Sequence, residues 1–133
     1  MIGRFLNSAD AKREQLDWGT LAWLSSPEVS NAKDLVVIEV TLRPTKGHNF
    51  HKHPSQEELI YVIDGQIEQW IDKQRDILKP GDSVFIGADV VHASFNIGSS
   101  RDAKLLAILG PCIGAVGYEL VDVASEQPWA SLR

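Results

Sequence analysis

Three of the four histidines of this 133-residue chain, His48, His51 and His53, fall within six residues, and Glu57 and Glu58 follow them closely. The fourth, His92, lies behind the turn Pro80-Gly81-Asp82 and a corner at Gly87. On an extended chain side chains alternate between faces, so His51 and His53 point the same way, side by side. A turn over residues 54–56 brings the next segment back alongside them, and Glu58 then supplies a carboxylate to the same space. His92 completes a set of three imidazoles and one carboxylate. Such a borderline donor set suits a first-row divalent ion, bound by neutral histidines and an ionised glutamate. It does not distinguish Mn, Fe, Ni, Cu or Zn. Four protein donors on a six-coordinate ion leave positions open to a ligand, which separates catalytic or binding sites from purely structural ones. An isolated histidine is ordinarily a surface residue. A His-x-His pair with a glutamate five residues on and another histidine behind a Pro-Gly-Asp turn is a far more specific pattern.

These residues must be positioned by strands. Residues 8–16 read as a short helix capped by Ser8 or Asp10. From Thr20 onward the chain changes to short β-branched and aromatic runs separated by turn residues: LAWL, LVVIEVTL, ELIYVID, QIEQWI, RDILK, DSVFI, VVHASFN and AKLLAILG, with a last strand over residues 118–123. Asp64-Gly65, the Asp72-Lys73 pair and Pro80-Gly81-Asp82 have the composition of tight turns. Eight to ten short strands at regular spacing, with little helix and no internal repeat, define an all-β sandwich or barrel spanning residues 1–133 as one domain.

Two segments carry a family resemblance. His51-Lys-His53-Pro-Ser-Gln-Glu57-Glu58-Leu-Ile-Tyr-Val-Ile-Asp-Gly65 resembles the first cupin motif. Gly81-Asp-Ser-Val-Phe-Ile-Gly87-Ala-Asp89-Val-Val-His92-Ala-Ser-Phe-Asn96 resembles the second. The resemblance implies a jelly-roll barrel (double-stranded β-helix), a metal site formed by His51, His53, Glu58 and His92, and a homodimer. There are departures from the pattern. Gly47 lies four residues before His51 rather than six, Gly87 stands where proline is usual, and Asp89 stands where glycine is usual. These positions shape corners and leave the ligand set intact.

Other residues take lesser roles. His48, just after Gly47, is expected in a loop at the barrel mouth, and it is the one evident candidate for an acid–base group beside the metal. Glu57 should face outward. Ile60 and Val62 share the Glu58 face and should line an apolar wall. Ser94 and Asn96 point with His92, and Asn96 is expected to satisfy local backbone. Trp70, Phe95 and Tyr61 are expected in core or dimer packing, Trp129 as a plug against the barrel or a partner subunit, and Cys112 as an inert thiol.

Composition narrows the function classes. Eighteen acidic residues against thirteen basic ones give a net charge of −5, with the basic residues scattered singly. A nucleic-acid surface needs clustered positive charge, so DNA and RNA are not expected partners. No apolar run is long enough to span a bilayer as a helix. A single cysteine and a first segment without a signal-peptide pattern make the cytoplasm the expected location. Two function classes fit. One is a small metalloenzyme acting on a small oxygen-rich molecule, through isomerase, dioxygenase or sugar-acid chemistry. The other is a metal-dependent small-molecule binding or sensing module without turnover.

Overall fold

The computed structural model describes residues 2–133. Eleven strands form two antiparallel sheets: β1 (Lys12–Leu16), β2 (Gly19–Ser25), β3 (Val36–Leu42), β4 (Gly47–Lys52), β5 (Glu57–Asp64), β6 (Ile67–Ile71), β7 (Gln74–Leu78), β8 (Ser83–Ile86), β9 (His92–Asn96), β10 (Ala103–Gly110) and β11 (Val121–Asp122). One sheet runs β1-β2-β3-β10-β5-β8 and the other β11-β4-β9-β6-β7. Because β4 and β5 are consecutive yet lie in different sheets, residues 53–56 carry the chain across the barrel and place His53 and Glu58 on facing walls.

The period-two burial of a half-buried strand is clear in the six-stranded sheet. Val36, Ile38, Val40 and Leu42 of β3 point inward, as do Ala103, Leu105, Ala107 and Leu109 of β10. On β5 the inward set is Glu58, Ile60 and Val62, and Glu57 faces solvent. These side chains, with Leu21, Trp23, Ile67 and Ile86, make the main core. Every residue of β9 is buried, because the other face of its sheet is also covered. There Phe50, Trp70, Val91, Ala93, Phe95 and Val123 form a second cluster, and Trp129 and Leu132 pack onto it. Trp129 therefore docks on its own chain. Trp70 and Phe95 are core residues as expected, whereas Tyr61 is exposed on the outer face of β5.

Residues 8–16 do not form the expected helix. Ser8–Asp10 make a single 3-10 turn, and Lys12–Leu16 pair with β2 in register Lys12 to Trp23 through Leu16 to Gly19. A short polar segment has too few hydrogen bonds to hold an isolated helix. An adjacent strand edge offers it a ladder instead. The last strand is likewise shorter than expected: only Val121 and Asp122 pair, with Lys52 and His51. Among the described residues no helix is long and apolar enough to cross a membrane.

Candidate metal centre

Register sets the first pair of donors. His51 on β4 lies directly opposite His92 on the neighbouring β9, and their rings are 4.3 Å apart. His53 follows β4 immediately, on the same face as His51, and all three rings are buried. A ligand nitrogen from each of His51, His53 and His92 falls within 4.8 Å of the others. Glu58 reaches them from the facing sheet. Its Oε1 lies 2.8 Å from His92 Nε2 and 3.4 Å from His53 Nε2. The structure thus brings together all four residues that the sequence singles out as a donor set.

The tautomers follow from the outer hydrogen bonds. His51 Nδ1 lies 2.7 Å from the Asn49 carbonyl, His53 Nδ1 2.7 Å from the Glu119 carbonyl, and His92 Nδ1 3.0 Å from the Val90 carbonyl. A carbonyl only accepts, so each Nδ1 carries the proton and each neutral ring turns a bare Nε2 lone pair inward. This is the outer-shell arrangement that orients metal-binding imidazoles. It leaves a conflict at the centre. His92 Nε2 and Glu58 Oε1 are buried and lack any hydrogen-bond partner of acceptable geometry, although they sit 2.8 Å apart. Two acceptors at that distance need a cation between or beside them, either a proton or a metal ion. The donor set therefore fits a divalent ion.

The electrostatics repeat the point. Burial favours the neutral form of Glu58, but the close approach of His53 and His92, and positive charge on them, outweigh it and hold the carboxyl down at about 2. Burial also disfavours the charged form of His92, yet Glu58 beside it raises its pKa above 6.5. His51 is driven the other way, well below 6.5, by burial and then by the neighbouring histidines. Without a metal, Glu58 and His92 share a proton as an ion pair. Both residues must give up that proton to act as ligands.

His48 is not in a loop, as its position after Gly47 suggested. It lies within β4, opposite Ser94, and stacks face to face on His51 with ring centres 3.6 Å apart. Trp18 stacks on its other side at 4.6 Å. β4 can come this close to β9 because position 47 is glycine; a Cβ there would run into the Ser94 carbonyl and the Phe95 backbone. Burial lowers the His48 pKa to about 4, helped by the nearby His92. It is therefore a neutral ring that braces His51 and a weak base at neutral pH.

A cavity of about 40 Å³ opens in front of the donors, lined by His48, His51, His53, Glu58 and His92 and by aliphatic side chains of the main core. Ser94 faces it while donating to Gln69 Oε1 at 2.6 Å. Asn96 instead ties down backbone, as expected, donating to the Leu42 and Arg101 carbonyls and accepting from Gly98 N–H. Three contributors are not donor residues of either motif. Tyr118 lines the cavity, 5.6 Å from the His53 ring. The Glu119 carbonyl fixes His53. Buried Gln56 fixes the loop that carries both, donating to the Pro111 and Gly117 carbonyls and accepting from Glu119 N–H. Tyr118 and Glu119 lie more than sixty residues from His53, which leaves no local signal for them.

A closed pair of antiparallel sheets with an inward His/Glu donor set between them is a jelly-roll barrel built around a candidate metal centre. The cupin domain family model matches residues 38–109, more than half of the chain, and the protein belongs to the cupin family. Protein SchB of Streptomyces halstedii is 31% identical over 93 residues, 70% of this chain and 67% of that protein. Polyketide synthase CurC of Streptomyces cyaneus is 28% identical over 93 residues, and the match spans 60% of its length. Among solved structures, KdgF from Halomonas sp. superposes with a TM-score of 0.73 at 16% identity, covering 84% of this chain and 96% of that one. A predicted oxalate decarboxylase from Thermotoga maritima gives 0.72 at 22% identity over 81% of this chain and 99% of that one. These likenesses establish the fold.

Proposed function

We propose that this cupin is a small metalloenzyme that acts on an oxygen-rich small molecule at a divalent ion held by His51, His53, Glu58 and His92. The observation that carries this reading is the unpartnered approach of His92 Nε2 to Glu58 Oε1 at 2.8 Å inside a ring of histidines whose Nδ1 protons are all committed elsewhere. A divalent ion there supplies Lewis-acid polarisation of a bound carbonyl or hydroxyl oxygen, or a redox centre where the metal is redox-active. The chain does the rest. Glu58 lowers the net charge of the site, the three carbonyls hold the imidazoles in the binding tautomer, and the aliphatic walls keep water out of the chamber. His48, stacked on His51, serves as a positioning residue; a weakly basic ring beside the reacting groups is its second use.

Isomerase, dioxygenase and sugar-acid chemistry are all compatible with this site. Oxalate decarboxylases, which share this fold, are named for an oxygen-rich substrate. Elemental analysis of the purified protein beside a His51→Ala/His92→Ala variant tests the reading. About one metal per chain in the parent and none in the variant is expected. No metal in either after reconstitution with Mn, Fe, Ni, Cu and Zn would overturn it. A metal-loaded protein that binds ligands without turning any over would favour the binding or sensing role.

We also propose a homodimer through the outer face of the six-stranded sheet, where Leu59, Tyr61, Ile63 and Phe85 lie exposed on adjacent strands. Light scattering coupled to size exclusion should give twice the chain mass; Phe85→Lys should give the monomer. A cytoplasmic setting is proposed with it, since Cys112 has no second cysteine in the chain with which to pair.

A further inference from the structure

The chamber in front of the donor set is chemically one-sided. Opposite the histidines its wall is hydrocarbon, from Leu42, Ile60, Leu105 and Leu109 among others. No lysine or arginine among the described residues lines it. The charged groups acting on its rim are acidic: Asp122 on His48, and Glu14 with Glu58 on Tyr118. Lys52, the basic residue nearest in sequence to the donor histidines, is already paired with Asp89 at 3.1 Å.

Charge balance then decides what can enter. A divalent ion with ionised Glu58 and three neutral histidines leaves one net positive charge in a water-poor space. A chelating monoanion brings the site to neutrality. A dianion leaves an excess negative charge facing hydrocarbon and a carboxylate rim, with no cation to meet it, and desolvation of that charge is not repaid. Volume sets the second limit. An engineered apolar cavity of about 150 Å³ takes up a whole benzene ring, whereas the space beyond the donors here is about 40 Å³. That space suits a tail of one or two carbons, with the ligand's oxygens remaining at the metal in front of it.

Building on the metal reading above, we infer that the site selects a small monoanion with two adjacent oxygen donors and a short aliphatic tail, the 2-oxo or 2-hydroxy monocarboxylate class, and discriminates against dicarboxylates such as oxalate. Oxygens meet the metal and the tail lies against the hydrocarbon wall. The overall shape shared with oxalate decarboxylases does not carry their substrate into this chamber, because a chelating dianion leaves one negative charge that no cation of the lining meets.

The test uses the full chain reconstituted with a single divalent metal, its metal content measured before any ligand is added. Isothermal titration with 2-oxobutyrate and with oxalate, with the retained metal checked at the end, should give roughly tenfold or more tighter binding of 2-oxobutyrate, the scale expected for one unpaired charge near a protein interior. Oxalate is the stronger chelator of the free ion, so this order reverses the solution preference. Tyr118→Arg, which sets a cation at the chamber wall, should narrow or invert the ratio. Oxalate binding as tightly as 2-oxobutyrate at full metal occupancy, or no binding of 2-oxobutyrate at millimolar concentration, overturns the inference and leaves the metal reading standing. Failure to load metal at all overturns both. The parent comparison decides the matter even if Tyr118→Arg does not fold.

Discussion

Replacing Glu58 with glutamine separates the two ways in which the centre can be satisfied. In the parent without metal, bare Nε2 lone pairs of His92 and His53 face Glu58 Oε1 at 2.8 and 3.4 Å, and a proton on His92 is the available remedy. The pKa of His92 is raised in the folded protein, so this pairing contributes stability in full below its unfolded value of 6.5 and loses it as pH rises through the folded value. The Glu58 pKa is lowered to about 2, so the carboxylate's contribution is present above its unfolded value of 4.5 and is lost as pH falls toward 2. The metal-free parent protein gains from that pairing at mildly acidic pH, but the same acidification costs it stability at His48 and His51, whose pKa values are held below 6.5. Above the His92 transition it buries opposed acceptors. The side-chain amide introduced by Glu58→Gln can donate an N–H to one of those lone pairs, and restoring a buried hydrogen bond is worth about 1 kcal/mol. For a chain of this size that is about 3 °C in melting temperature. In chelator, at a pH well above the His92 transition, Glu58→Gln should thus melt slightly higher than the parent. With metal the order should invert. A ligand at a hundred times its Kd adds about 2.7 kcal/mol to the folded state, or about 9 °C here, and the variant, without its anionic donor, should gain much less. Scanning calorimetry with and without metal measures both. A variant that melts well below the parent in chelator, or that gains the full metal shift, would refute this account of the site.

His53→Ala should lower metal occupancy several-fold while leaving the far-ultraviolet circular dichroism of the barrel unchanged, since it removes one donor and no core contact of the main cluster; unchanged metal content would sink the assignment. Gly47→Ala should cost a few kcal/mol and weaken metal binding together, because the new Cβ pushes β4 off β9 at the His51–His92 pair; urea unfolding and metal analysis read the two effects. Asp89 has φ of 66°, so Asp89→Gly should relieve about 1 kcal/mol of left-handed strain while losing a surface ion pair with Lys52 worth less than that. Asp89→Val should be clearly destabilising in the same assay. Burial favours protonation of Glu68, but Trp70 Nε1–H at 2.6 Å and Arg133 at 2.8 Å outweigh it and hold the pKa below 4.5. Its contribution is lost as pH falls through that lowered value. Arg133→Ala should cost about 1–2 kcal/mol at neutral pH and shrink the stability difference between neutral pH and about pH 3.

Much of the site was legible because the strand period is short and strict. His51 and His53 share a face, Glu58 carries Ile60 and Val62 inward with it, and Glu57 turns out to solvent, all as alternation requires. Asn96 could be read as a backbone anchor from its chemistry alone. The features that escaped the sequence are those that depend on a partner distant in the chain. Lys12–Leu16 is a strand because β2 is there to pair with it, and nothing in its own polar sequence says so. His48 is in a strand and not a loop because β9 lies against it, and its stacking partner Trp18 comes from the opposite sheet's first hairpin. The Asp89 departure was legible in outline: a position that favours glycine keeps its positive φ, and aspartate tolerates that conformation better than most side chains.

The division of donors between the sheets has a consequence that neither sheet shows alone. β4 and β9 carry His51 and His92 directly opposite each other, with His53 just past the end of β4, so the spacing of His51 and His92 is fixed by main-chain pairing and changes little with side-chain packing. Glu58 stands on the other sheet, and its distance from that pair depends on how the hydrophobic layer of Ile60, Val62, Leu105 and Ile38 fills the space between. A cavity made in that layer should therefore reach the metal through Glu58 before it reaches the histidines. Leu105→Ala should cost about 2–5 kcal/mol as a core truncation. It should also weaken metal binding while the imidazole NMR signals of His51 and His92 hold their metal-bound shifts at saturation. If those signals moved as far as the Glu58 side chain's own, the two sheets would not be acting as separate carriers of the site.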